Sequence, residues 1–212
     1  MSIVLLTGFD AFGGESLNPS WLAVKALHGR RVLGHKTVAA QLPTVFDASL
    51  PALQALLVEH KPALVICVGQ AAGRGALSLE RVAINVNDAP IADNAGTQPI
   101  DTPVVQGAPA AYFTGLPIKA MLAALRREGI AAEVSQTAGT YVCNHVFYAL
   151  MHTLTTNPAL RHTRGGFVHV PWLPEQGTPS MALDDIVRGL RVCVRSALKV
   201  QEDQLLGAGA TQ

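Results

Sequence analysis

Short apolar runs closed by glycine or proline alternate along this chain with longer stretches whose apolar residues recur at helical spacing. Residues 3–7, 31–39, 63–68, 131–136 and 166–171 read as strands, and 79–87 as a further extended segment in which Val82, Ile84 and Val86 alternate. Helices are expected over 20–27, 47–60, 117–128, 142–154 and 181–198. Asn18 and Pro19 open the first of them, a capping residue followed by a proline in the first turn. Residues 88–117, rich in Pro, Asp, Asn and Gly, read as a long loop that hides short elements or carries function. The Gly/Ala-rich tail is expected to fray. Strand following helix in this way defines an α/β chain with a mostly parallel sheet.

Composition supports helices covering that sheet. Hydrophobic residues make up 49% of the 212 and charged residues only 15%, so much of the chain is buried and global disorder is excluded. No repeat or linker divides the sequence, and the whole span 1–212 reads as one domain. The net charge of +1 comes without a basic block, which argues against a nucleic-acid partner. No apolar run is long enough to span a bilayer, and the first residues lack the basic start of a signal peptide. No membrane association and a cytoplasmic location are therefore expected.

The three cysteines, Cys67, Cys143 and Cys193, form neither a disulfide framework nor a CxxC pair. Cys67 lies in an apolar strand and Cys193 in an amphipathic helix, where each acts as a small hydrophobe. Cys143 differs. It follows a strand and a small-residue turn, close to where a helix begins. Free N–H groups and the positive end of the helix dipole there lower a thiol pKa and can stabilise an oxyanion. The competing reading is a buried, inert cysteine.

A nucleophilic thiol needs a histidine to take and return its proton. Of seven histidines, His169 alone sits inside an apolar strand, immediately before Val170-Pro171, at the end of a strand where α/β sheets carry their sites. It is either a satisfied core histidine or a positioned base. His145 and His152 share a helical face but lack the spacing and carboxylate of a zinc site. Glu80 opens an apolar segment and is a candidate to orient the imidazole, although it could equally pair with Arg81 at the surface. Asp88, Asp93 and Asp101 compete for the same role. Residues 8–14 form a glycine-rich loop without the lysine of a P-loop, and its Phe9 and Phe12 either rim a pocket or plug the core.

Taken together, several long blocks resemble the pyroglutamyl-peptidase I family of cysteine peptidases over nearly the whole chain. They are Thr7 to Gly14 with Asn18-Pro19-Ser20, Gly69 to Arg74, Glu80 to Asn85, Asp93 to Pro99, Ser135 to His145 and Gly165 to Pro171. The resemblance implies a three-layer α/β/α sandwich, commonly a homotetramer, acting on N-terminally pyroglutamylated peptides with no cofactor and no metal. It implies Cys143 as nucleophile, His169 as acid/base and Glu80 as the group orienting the imidazole. Phe9, Phe12, Asn18, Gln70, Tyr141 and Val142 are implied around the substrate. The family usually carries arginine where Pro90 stands and proline where Ala92 stands. Proline cannot replace the donors or charge of arginine. The expectation is reduced activity, compensation by Arg74 or Arg81, or a protein that binds lactam peptides with little turnover.

Overall fold

The computed structural model describes residues 2–210. A seven-stranded sheet forms its centre, built from β1 (Ile3–Phe9), β2 (Arg31–Val32), β3 (His35–Leu42), β4 (Leu64–Gln70), β5 (Leu77–Glu80), β8 (Ala132–Ser135) and β9 (Arg164–Val170) in the order β2-β3-β1-β4-β9-β5-β8. Strands β3, β1, β4 and β9 run parallel. The edges depart from the expected direction: β2 is antiparallel to β3, and β5, itself parallel to β8, is antiparallel to β9. The sheet is mostly parallel, and helices cover both faces.

Strand alternation sorts side chains between two cores. Val4, Leu6, Leu64, Ile66, Val68, Leu77, Leu79, Val168 and Val170 meet α1 (Pro19–Ala26), α3 (Ile118–Arg127) and α5 (Leu183–Lys199). Leu5, Phe9, Val65, Cys67 and Phe167 meet α2 (Phe46–His60) and α4 (Val142–Thr156). The chain is thus an α/β/α sandwich. Two glycines let the layers approach closely. A Cβ at Gly8 would lie 2.7 Å from the backbone of Ser20 and Trp21 in α1, and one at Gly165 would lie 2.7 Å from Leu154 of α4.

Two expectations need correction. The strand placed at 31–39 is a hairpin, β2 and β3, turning at Leu33-Gly34 with φ of 49° and 82°. Such two-residue turns need positive φ at both positions. The extended segment 79–87 is likewise two elements. Glu80 ends β5 in the main sheet, and β6 (Val82–Ile84) leaves it to pair with β7 (Ala111–Phe113), a strand hidden in the long loop. Between α5 and the Gly/Ala-rich tail, the chain docks back on α3. The Asp203 carboxylate accepts from Lys119 N and Ala120 N at 2.9 Å each, capping α3, and Lys119 Nζ donates to Leu206 O. An aspartate at a helix start satisfies N–H groups that have no partner inside the helix.

Candidate active site

The face of the sheet under α2 and α4 becomes polar toward one end, because Ser78, Glu80 and His169 occupy its alternating positions. Glu80 and His169 are almost wholly buried, at 0% and 4% exposure. His169 Nδ1 lies 2.8 Å from Glu80 Oε1. A carboxylate at that distance fixes the proton on Nδ1 and leaves the Nε2 lone pair to accept another. The surface pairing of Glu80 with Arg81 does not occur. Successive strand residues point to opposite faces, and the arginine that reaches Glu80 is Arg74, with Nη1 2.8 Å from Oε1.

Cys143 is the second residue of α4, which starts at Val142 after Tyr141 and has no side-chain cap. Its first-turn N–H groups are therefore available to a ligand oxygen. Asn144 anchors this start: its amide accepts from Ile84 N and donates to the carbonyls of Ile84 and Val86. The Cys143 sulfur lies over Gly69 of β4, where a Cβ would come within 2.7 Å of Sγ. Gly69 is in register with His169 on the neighbouring strand, so thiol and imidazole flank the same backbone position. The Phe167 and His169 rings, 4.8 Å apart, close the floor.

The thiol departs from expectation. Burial pushes Cys143 up to about 12, and the Glu80 charge adds to this while Arg74 opposes it. Desolvation, the largest of these effects, thus favours the neutral thiol, against the lowering expected of a helix start. Its proton has to leave as the sulfur attacks.

The residues expected around a substrate occupy unlike positions. Phe9 is the last residue of β1 rather than part of the loop, and its buried ring lies 6.4 Å from that of Phe167. Phe12 is partly exposed in the following turn and faces Tyr141 at 5.8 Å. Tyr141 donates its hydroxyl to Ala92 O, and burial followed by the charges of Asp93, Cys143 and Asp10 pushes its pKa up to about 12. Gln70, at the end of β4, accepts from Gln176 Nε2 at 3.3 Å. Val142 is fully buried. Asn18 acts within the loop: Oδ1 accepts from Ser20 N and Ser20 Oγ, and Nδ2 donates to Asp10 O. Pro90 is exposed, on a stretch tied to the thiol's own turn by Asp88 N to Thr140 O and Thr140 Oγ1 to Asp88 O.

Asp93 does not orient the imidazole. It is a loop staple that sequence reasoning missed. One oxygen accepts from Phe46 N at the start of α2, and the other accepts from Ala95 N and Thr97 N. Burial works to raise its pKa, but the hydrogen bonds from Phe46, Thr97, Ala95 and Gly96 prevail and lower it. Folding therefore favours the ionised form, a contribution present above the unfolded pKa and lost as pH falls through the folded one. Asp93→Asn should destabilise the protein by about 2 kcal/mol at pH 7. In urea titrations, its gap from wild type should narrow once the pH drops below the ordinary value of 3.8; a gap independent of pH would refute the assignment. His145 is also excluded from acid/base work. Its Nδ1 is held 2.9 Å from Asn87 Oδ1, and burial lowers its pKa to about 4 against the opposing effects of Phe46 and Asp47.

Cavity size is no guide to this site. A cavity of about 670 Å³ lined by Arg30, Arg31, Arg188 and Arg191 lies between α1 and α5, across the sheet from Cys143. What marks the other end of the sheet is chemistry: a thiol at an uncapped helix start, beside a histidine held by a buried carboxylate. On an α/β/α sandwich, this constellation is one that a thiol hydrolase can use for nucleophilic catalysis.

Comparison with known proteins narrows the class. The pyroglutamyl peptidase family profile matches residues 2–200. The chain is 58% identical over 208 residues to the pyrrolidone-carboxylate peptidase of Cupriavidus taiwanensis, covering 96% of both chains. It is 51% identical to that of Bacillus cytotoxicus over the full length of both. The crystal structure of pyroglutamyl peptidase I from Bacillus amyloliquefaciens superposes with a TM-score of 0.95 at 48% identity, covering 97% of this chain and 99% of that one. A mutant pyrrolidone carboxyl peptidase from the hyperthermophile Pyrococcus furiosus gives 0.90 at 40% identity, covering 93% and 98%. The chain belongs to the pyroglutamyl peptidase family.

Proposed function

We propose that Cys143, His169 and Glu80 act together to hydrolyse the bond after an N-terminal pyroglutamyl residue, the reaction of this peptidase family. The carrying observation is the 2.8 Å contact between His169 Nδ1 and the fully buried Glu80, beside the position that the Cys143 sulfur overhangs. His169 Nε2 takes the thiol proton as sulfur attacks the pyroglutamyl carbonyl carbon. The resulting oxyanion is held by N–H groups of the α4 start. His169 then gives the proton to the leaving amine as the C–N bond breaks. Water, deprotonated by the same nitrogen, releases free pyroglutamate from the thioester and restores the thiol.

The lactam has no ammonium to recognise. A pocket of aromatic and uncharged groups suits it, and this reading assigns Phe9, Phe12, Asn18, Gln70, Tyr141 and Val142 to that pocket. Phe9 acts from beneath, Phe12 and Tyr141 from the rim, and Asn18 by holding the Asp10 turn. Polar groups matched to the ring amide would be left unpaired by a ring that lacks it, which is a strong basis for rejection. The test is cleavage of a pyroglutamyl fluorogenic amide against the prolyl amide. We expect at least about 100-fold preference for the former, and complete loss after iodoacetamide; equal cleavage of both would sink the pocket assignment.

Two further readings accompany the activity. The protein assembles as a homo-oligomer, a reading supported by the 73% exposure of Phe113 on the β6–β7 ribbon and the 68% exposure of Ile100 on the adjoining loop. Sedimentation at micromolar concentration would find a tetramer under this reading and a monomer against it. The protein also works in the cytoplasm on pyroglutamylated peptides. Its three cysteines are free thiols, and among the described residues no helix is long and apolar enough to cross a membrane. Exclusive recovery from the periplasmic or extracellular fraction would overturn this location.

A further inference from the structure

Glu80 Oε1 receives two donors at once, His169 Nδ1 and Arg74 Nη1, each at 2.8 Å, while Oε2 is buried without a partner. A buried carboxylate with one unsatisfied oxygen needs a strong counter-charge to stay in place. Neutral imidazole offers a hydrogen bond but no charge. Arg74 offers both. It comes from the turn after β4, where Gly73 takes a φ of 77°. Its guanidinium spans three segments: Nη1 also lies 3.4 Å from Ser135 Oγ at the end of β8, and Nη2 donates to Thr137 O at 3.2 Å. Thr137 belongs to the turn that delivers Cys143. One planar fork therefore ties the carboxylate to the segment carrying the nucleophile.

We infer that Arg74 is a positioning residue of the proposed triad, one that locks Glu80 beneath His169, fixes the turn leading to Cys143 and supplies the site with its permanent positive charge. This rests on the hydrolytic reading above and deepens it. The charged and titratable groups around the thiol are Glu80 on β5, Arg74 after β4, His169 on β9, Cys67 on β4 and Tyr141 just before α4. Arg74 acts on the sulfur in the direction opposite to burial and Glu80. Arg74 is the arginine whose guanidinium reaches the triad among the described residues. Lysine would keep the charge but lose the fork, so the two functions separate by substitution.

Arg74→Gln and Arg74→Lys are to be compared with wild type in three measurements: steady-state kinetics on the pyroglutamyl amide, thermal melting, and the pH profile of iodoacetamide alkylation without substrate. Cys67 and Cys193 are buried, and Cys143→Ala gives the alkylation background. Arg74→Gln should lower kcat about 100-fold with KM within about twofold. It should also move the alkylation profile up by about one pH unit. Arg74→Lys should recover most of the profile but little of kcat. Added guanidinium should raise the kcat of Arg74→Ala. Wild-type kcat and an unmoved profile in Arg74→Gln would overturn the inference. So would activity lost only in proportion to a fall in melting temperature, with the profile unmoved. Failure of the hydrolytic reading is distinguishable, because it appears as an inactive wild type, whereas alkylation reads Arg74 without turnover.

Discussion

Cys143→Ala should lower kcat on a pyroglutamyl amide by at least about 10⁴-fold while leaving the fold intact. The size follows from what sulfur does in the proposed pathway. Without it no thioester forms, and hydrolysis falls to direct attack by water on the unactivated amide. What remains is stabilisation by the α4 N–H groups and binding, which together give only modest acceleration. Stability should change little. Cys143 is partly exposed at a helix start, and an alanine Cβ stays clear of the sulfur's place over Gly69. Cys143→Ser should not restore turnover, because a hydroxyl is far less acidic than a thiol and His169 would have to deprotonate it. Melting curves and single-turnover assays check both claims, with mass spectrometry on rapidly quenched samples to detect the thioester. Retention of even a hundredth of wild-type kcat in Cys143→Ala would remove this thiol from the mechanism.

Much of the architecture was legible because its central strands are covered on both faces. Leu64 to Val68, and Phe167 to Val170 apart from His169, are apolar, as short strands buried on both faces of a parallel sheet have to be. The direction of β5 was not legible. Its Leu77 and Leu79 fill a core whichever way the strand runs, and only its neighbour β9 settles the matter. The break at Arg81 left only a change of phase, from Leu77 and Leu79 on odd positions to Val82, Ile84 and Val86 on even ones, and the two halves belong to different sheets. At the site, Cys143 was marked by a local strand-turn-helix signature and His169 by its polarity among apolar neighbours. Resemblance then singled out Glu80. Arg74, Asp93 and Asn144 carried no such mark. Each acts on a segment remote in sequence, Asn144 on Ile84 and Asp93 on Phe46, and their pairings exist only after the loops have met.

Gly69→Ala should reduce kcat/KM about 100-fold and destabilise the protein by about 1–3 kcal/mol, through two different contacts. An alanine Cβ would lie 2.7 Å from Cys143 Sγ and 2.8 Å from the tip of Phe167, far inside van der Waals separation. No left-handed backbone is involved at Gly69, so the effect is steric rather than conformational. Phe167 has little room to yield. It is fully buried, with the rings of Phe147 at 5.8 Å, Phe9 at 6.4 Å and His169 at 4.8 Å. Sγ has a softer route, outward and away from the imidazole, and a displacement of about 1 Å is enough to account for the kinetic loss. The two parts separate in the double variant Gly69→Ala/Phe167→Leu. Removing the ring should return part of the stability lost to Gly69→Ala, because the Cβ then has space. It should return little activity, because the same Cβ still occupies the thiol's place. If Gly69→Ala alone kept wild-type kcat/KM, the sulfur would not need its place over β4, and the triad geometry proposed here would be wrong.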